Sequence, residues 1–286
     1  MINHKTTKDK KIKVGVVGYP INHTLSPRLH SYWLKKYSIN GTYEAIEKSP
    51  EEIEDFIMHL SSYGFAGLNI TLPYKEIAAK FVNILDANAN RLGAINTIYM
   101  DSDGILYGVN TDGFGFIENL ISNVPTWKPS DGPAVVLGAG GAAKAVVASL
   151  LDRGLDQVFV ANRTQKKAKA LKEKIGGSIY VINWDERSKI LKDVALIINT
   201  TSLGMIGQPP LNIDLNLLPK KAIVYDIVYS PMLTPLLKNG QKRSHKIVGG
   251  IGMLLHQARP GFQKWFGRDP KVTETLKNHV ILELQK

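Results

Sequence analysis

Three small residues, Gly138, Gly140 and Ala143, fall on the spacing G-x-G-x-x-A inside the stretch PAVVLGAGGAAKAVV at positions 133–147. An apolar run enters this stretch and an alanine-rich helical pattern leaves it, so it reads as a strand, a tight turn and a helix start. The first glycine permits the turn, the second lets a pyrophosphate approach the backbone, and the small third residue lets helix pack on strand. The unpaired N–H groups and the positive dipole end of such a helix start suit phosphates. A glycine-rich turn can also be plain packing, so its neighbours matter. The next apolar run, QVFVA at 157–161, ends in Asn162, Arg163 and Thr164 and is followed by the lysine-rich QKKAKALKEK. An Asp or Glu there would accept hydrogen bonds from the ribose 2′-hydroxyl of NAD and repel a 2′-phosphate. Arg163, Thr164, Lys166 and Lys167 stand there instead, which points to NADP. Thr164 can equally be a simple helix N-cap and the lysines a solvated face; both roles are compatible, because an N-cap also presents backbone N–H groups to a phosphate.

A second set of polar residues closes apolar runs earlier in the chain. The loop GYPINHTLSPRLH at 18–30 brings together the hydroxyls of Thr24 and Ser26. Ser26 can be the N-cap of the following helix, with Pro27 in its first turn, or the two hydroxyls can hold a carboxylate at the positive helix end. In AGLNITLPYK at 66–75 a strand ends in Asn69 and Thr71, Pro73 is expected to start a helix, and Lys75 follows. The runs AINTIY at 94–99 and ILYGV at 105–109 are joined by DSDG, a good hairpin turn, and the second leads into Asn110, Thr111, Asp112 and Gly113. Asp112, ahead of the helical FGFIENLI, is either a cap or a site residue. His23, His30 and His256 lack metal-ligand spacing and partners and read as structural or rim residues; Trp33, Trp184 and Trp265 read as packing.

These residues need a scaffold, and the pattern around them supplies one. Strands at 12–17 and 42–46 flank a helix over 28–37, and a second helix over PEEIEDFIMHLSSYG at 50–64 has Pro50 and acidic residues in its first turn and Gly64 as its stop. Alternating β and α elements imply a parallel sheet with ligands at the carboxyl ends of its strands, where Asn69, Thr71 and Lys75 lie. A Pro/Gly/Ser stretch at 125–133 leads into the glycine-rich turn, and strands at 178–182, 195–200 and 222–227 continue the repeat of a doubly wound sheet. From GGIGMLLHQA at 249–258 to the terminal ILELQK the period is helical, and this tail is expected to return to the first domain.

Composition excludes several classes. At 286 residues two domains are expected, and no apolar run approaches the roughly 18 residues that span a bilayer. The first eleven residues, MINHKTTKDKK, are basic and no apolar leader follows them, so a frayed N-terminus and a cytoplasmic protein are expected. There are no cysteines, which removes disulfides, thiolate metal sites and a cysteine nucleophile. The net charge of +11 favours anionic partners, but the basic residues are spread over the chain without a nucleic-acid module. A small anionic substrate and a phosphate-rich cofactor suffice, with neither nucleic acid nor a membrane as partner.

Taken together, GYPINHTLSPRLH, NITLPYK, GAINT, NTDG, GAGGAAKA, NRT, NTTSLGM, YDIVYSP and GGIGMLLHQ, in this order between 14 and 267, closely resemble the shikimate dehydrogenase family. The resemblance implies an α/β protein of two domains: a mostly parallel substrate-binding and catalytic domain over 1–111 and 251–286, and a doubly wound Rossmann NADP-binding domain over 112–250. It implies NADP-dependent, reversible reduction of 3-dehydroshikimate to shikimate in chorismate and aromatic amino acid biosynthesis. No metal is implied, and a homodimer is compatible with it. Carried over residue by residue, Lys75 and Asp112 become the catalytic pair. Thr24 and Ser26 hold the substrate carboxylate with Tyr229, while Thr71, Asn96 and Gln257 bind ring hydroxyls. Gly138, Ala139, Gly140, Gly141 and Ala142, with Asn162, Arg163, Thr164 and Lys167, cradle NADP, and Ile227, Gly250 and Met253 lie near the nicotinamide.

The chain departs from the family at Thr24, where serine is usual, and at Gly249, where an acidic residue is often found. Threonine keeps the hydroxyl and narrows its rotamers. The related quinate/shikimate branch is the alternative reading, and its frequent acidic residue after the second Rossmann strand is replaced here by Arg163. A rival of another class, a non-catalytic NADP-binding or nucleic-acid-binding protein, leaves Lys75 and Asp112 without a role.

Overall fold

A computed structural model describes residues 11–22 and 24–282; residues 1–10, within the stretch expected to fray, His23 and residues 283–286 lie outside the described residues. The chain divides into two units, one made of the residues up to Thr111 together with those from Ala258 onward, the other Asp112–Gln257.

In the first unit the apolar run IKVGVVG forms β1 (Ile12–Gly18), largely buried because it lies inside a sheet. Helix α1 (Ser26–Lys36) turns Leu29, His30, Trp33 and Leu34 inward and leads to β2 (Gly41–Glu47), parallel to β1 with Ile12 opposite Gly41. After α2 (Ile53–Met58), strand β3 (Gly67–Ile70) pairs parallel with the other edge of β1. Then follow β4 (Ile84–Leu85), α3 (Ala87–Leu92), β5 (Thr97–Met100) and β6 (Leu106–Val109), giving the order β2-β1-β3-β5-β6-β4. Strand β5 is antiparallel to both neighbours. The reversal is the expected DSDG turn, in which the Asp101 carboxylate accepts from the N–H groups of Asp103 (3.0 Å) and Ile105 (2.9 Å).

Three local expectations need correction. Ser26 is the first residue of α1 rather than its N-cap; Leu25 holds the cap position, without a capping side chain. The helix expected over 50–64 shrinks to α2, bounded by Glu52 and His59 with turns on both sides; Gly64, at φ +78°, closes the turns after it rather than the helix. Pro73 starts no helix: it follows a cis peptide, and residues 72–77 run as turns into a short 3₁₀ segment, Ala78–Lys80. A tertiary bond from the Ile95 N–H to the Lys75 carbonyl (2.8 Å) ties this turn to the sheet and outweighs local helix propensity. Helix α3 was invisible in the apolar periodicity; Asp86 caps it, accepting from the Ala89 N–H at 2.6 Å.

The second unit runs α4 (Asp112–Asn123), β7 (Ala134–Leu137), α5 (Gly141–Asp152), β8 (Val158–Ala161), α6 (Gln165–Ile175), β9 (Ile179–Ile182), β10 (Leu196–Asn199), β11 (Ile223–Asp226), α7 (Pro235–Lys242) and β12 (Lys246–Gly249). Its sheet has the order β12-β11-β10-β7-β8-β9 and is parallel throughout. Register aligns the carboxyl ends: Leu137 lies opposite both Ala161 and Asn199, Asn199 opposite Asp226, and Asp226 opposite Gly249. The loops that leave these ends therefore emerge in one row, and the strand order reverses between β7 and β10.

Helix α8 (Ile251–Phe266) straddles the division between the units, which falls after Gln257, and is followed by α9 (Glu274–Ile281). The tail returns to the first sheet as expected: the Trp265 indole donates to the Ile98 carbonyl at 2.9 Å, and Trp33 packs edge-on against Phe262. Trp184 is half-buried with the Arg187 guanidinium 4.5 Å from its ring. Among the described residues no helix is long and apolar enough to cross a membrane.

His30 bears out its structural reading. It is fully buried, stacked on Tyr43 (3.9 Å between centroids, 3° between planes), and among the described residues neither ring nitrogen has a hydrogen-bond partner. Burial lowers its pKa to about 3. The unfolded chain therefore takes up a proton near pH 6.5 that the native state refuses, so stability falls as pH drops below that value. His30→Leu is expected to abolish this share, about 2 kcal/mol between pH 8 and pH 5. Urea unfolding of both proteins at the two pH values measures it.

Candidate functional site

At the switch point of the second sheet, β7 ends in a turn that the sequence makes possible. Gly138 has φ +114°, and a Cβ there would lie 2.6 Å from the Thr200 hydroxyl, which itself donates to the Leu137 carbonyl at 2.7 Å. Gly140 then holds the N-cap of α5 without a capping side chain, so the first N–H groups of that helix are left to an external acceptor. Among the described residues nothing lies within 4 Å of where a Cβ would stand at Gly140 or Gly141. This bare helix start, with Ala139 and Ala142 beside it, fits a pyrophosphate.

The turn is joined to the second candidate segment by the Gly138 N–H, which donates to the Ala161 carbonyl at 2.8 Å. Just beyond, Asn162 donates to the Thr164 carbonyl (2.9 Å), and Arg163, Thr164, Lys166 and Lys167 are exposed. Thr164 occupies the N-cap position of α6, but its side chain makes no capping bond, so the simple capping role is not taken up. A cluster of donors and positive charge thus stands one strand from the glycine turn, where a 2′-phosphate would lie.

The other end of the row is held by Asp226, a residue the sequence did not single out. Its carboxylate accepts from Asn199 (2.9 Å), the Val228 N–H (3.0 Å) and the Thr234 hydroxyl (2.6 Å). Burial pushes its pKa up to about 6, against the opposing pull of these donors. Asp226 thereby braces the loop carrying Ile227 and Tyr229; Tyr229 is half-buried, and burial raises its phenol pKa. A Cβ at Gly250 would collide with the Ile227 carbonyl oxygen, so glycine is what lets α8 start beside this loop. Met253 is buried one turn further on. Gln257 follows; its amide donates to the Leu254 carbonyl at 3.1 Å, and Gly115 of α4 makes room for its Cβ.

In the first unit the candidates stand at the carboxyl ends of β1 and β3 and just before β5. The Ser26 N–H donates to the Thr24 hydroxyl (3.3 Å). Thr71 follows β3, its N–H bonded to the Val17 carbonyl at 3.0 Å. Asn96 is buried, with its side chain bonded to Thr111. Lys75 is half-buried in the turn after β3. Asp112 belongs to the second unit, where it is buried as the first residue of α4 rather than a cap outside it. An aspartate there faces the positive end of the helix dipole. Tyr43, Thr97, Thr200 and Asp226 were missed because they sit within strands or at their ends, where apolar pattern and turn signals say nothing of polar function. Among the described residues no group of three or more His, Asp or Glu is placed to hold a metal.

Sheet order, switch point and bare helix start together define a Rossmann-type dinucleotide-binding protein with a second α/β unit. Family models described as shikimate dehydrogenase substrate binding domain, shikimate / quinate 5-dehydrogenase and shikimate 5'-dehydrogenase C-terminal domain match residues 16–98, 124–206 and 250–277. The shikimate dehydrogenase (NADP(+)) of Paramagnetospirillum magneticum is 48% identical over 267 residues, covering 93% of this chain and 97% of that one. A shikimate dehydrogenase crystallised with NADP+ superposes with a TM-score of 0.88 at 33% identity, over 100% of this chain and 98% of that one. The Thermus thermophilus shikimate 5-dehydrogenase in complex with NADP(H) and shikimate gives 0.84 at 32%, over 95% and 99%. The chain belongs to the shikimate dehydrogenase family.

Proposed function

We propose that this chain catalyses the NADP-dependent, reversible reduction of 3-dehydroshikimate to shikimate, with Lys75 and Asp112 handling the proton. The observation that carries the reading is the pairing, on adjacent strands, of a bare glycine-rich helix start with the exposed Arg163 cluster. NADPH, when bound, supplies the hydride. Gly138, Gly140 and Gly141 would receive its pyrophosphate, Asn162, Arg163, Thr164 and Lys167 its 2′-phosphate, and Ile227, Gly250 and Met253 its nicotinamide end. Thr24, Ser26 and Tyr229 would hold the substrate carboxylate, and Thr71, Asn96 and Gln257 its hydroxyls.

As the ring ketone is reduced its oxygen gains negative charge. Protonated Lys75 hydrogen-bonds that oxygen and donates the proton, and the Asp112 carboxylate orients the lysine. The reaction would serve chorismate and aromatic amino acid biosynthesis in the cytoplasm. Mixing the purified protein with 3-dehydroshikimate and NADPH and identifying the product by NMR tests the reading. Stoichiometric shikimate is expected; unchanged ketone, or another epimer, would contradict it.

A further inference from the structure

Behind the first unit's candidates lies a buried chain of hydrogen bonds that no candidate role explains. The Tyr43 phenol donates to Asn69 Oδ1 (2.6 Å), and Asn69 Nδ2 donates to the Asn96 carbonyl (3.0 Å) and to the Thr97 hydroxyl (2.9 Å). Thr97 in turn donates to Asn96 Oδ1 (3.1 Å), and Asn96 Nδ2 donates to the Thr111 hydroxyl (2.9 Å). All five residues are buried, and Thr97 completely so.

The direction of this chain is fixed at one point. A backbone carbonyl can only accept, so the nitrogen of Asn69 must face Asn96 and its oxygen must face Tyr43. One Asn69 N–H then occupies the Thr97 oxygen, which sends the Thr97 proton to Asn96 Oδ1. The Thr111 N–H donates to the same oxygen at 3.0 Å. The Asn96 oxygen is thus committed to the interior and its amide cannot flip without stranding two buried donors. The Thr97 methyl faces Gly261 of α8, where an added Cβ would lie 3.2 Å from it, so glycine there leaves room for the methyl.

We infer that Thr97, backed by Asn69 and Tyr43, is a positioning residue that acts with the Thr111 N–H to hold the polarity of the Asn96 amide toward the substrate's ring hydroxyls. The inference rests on the substrate role proposed for Asn96. Thr97→Val is isosteric and suits a strand, but removes the hydroxyl. It is expected to raise KM for shikimate about tenfold, the scale of one misdirected hydrogen bond, with KM for NADP and kcat nearly unchanged. Thr97→Ser, which keeps the hydroxyl, should restore most of the loss, and Thr97→Val should add nothing in an Asn96→Ala background.

Unchanged KM in Thr97→Val, a Thr97→Ser variant as poor as the valine, equal effects on KM for NADP, or additive losses in the double variant would each overturn the inference. Thr97→Ala, with the same expectations, serves if the valine variant does not fold. Wild-type protein that oxidises no shikimate would instead overturn the functional reading, so the two failures are distinct.

Discussion

Replacing Lys75 by alanine will lower kcat for reduction of 3-dehydroshikimate by about 10²- to 10⁴-fold, the range that a positioned acid or base supplies. KM for the substrate will rise far less. The split is the point of the prediction: an interaction made only as charge develops on the ketone oxygen is lost from kcat, whereas a uniform binding contact is lost from KM. The substitution removes a side chain from a turn whose backbone is tied down by the Ile95–Lys75 bond, which alanine keeps. Asp112→Asn should move kcat in the same direction, and the double variant should be little worse than Lys75→Ala, because residues that act as a unit are not additive. Steady-state kinetics of the three variants check this. A KM that climbs while kcat holds would make Lys75 a substrate-binding residue without a chemical role.

The second large effect concerns the cofactor. Arg163→Asp will lower the ratio of kcat/KM for NADP to that for NAD by about 100-fold or more, since it removes a charge-assisted contact and sets like charge against the 2′-phosphate. Arg163 is exposed at the carboxyl end of β8, beside a Thr164 whose side chain makes no capping bond, so the change leaves the packing of β8 and α6 untouched. With the cofactor saturating, kcat should be close to that of the wild type. KM for NADP in the wild type should also rise with ionic strength more steeply than KM for NAD, as expected for an exposed charge contact. An unchanged ratio would move recognition of the phosphate away from Arg163.

Much of the second unit was legible because its signals are local. The run before Gly138, the glycine spacing and the polar close at Asn162 to Thr164 each follow from backbone requirements written within a few residues, and β7, α5 and β8 fall where those signals place them. The first unit was harder to read at its turns. Pro73 looked like a helix start, yet a bond from Ile95 holds that segment as turns; Ser26 looked like a cap, yet the helix begins at Ser26 itself. Such outcomes depend on residues distant in sequence. The buried supports were the least legible. Asp226 and Thr97 sit on strands, and the register of neighbouring strands brings Asn199 to the one and Asn69 to the other.

The most direct test of the account is the initial rate of absorbance change at 340 nm with the purified protein and shikimate, run with NADP and NAD and again with quinate. Rapid formation of NADPH from shikimate, with NAD and quinate both poor, is the predicted result. Equal rates with NAD or with quinate would contradict the specificity assigned to Arg163 and to the substrate residues, and no rate in any combination would contradict the proposed reaction itself.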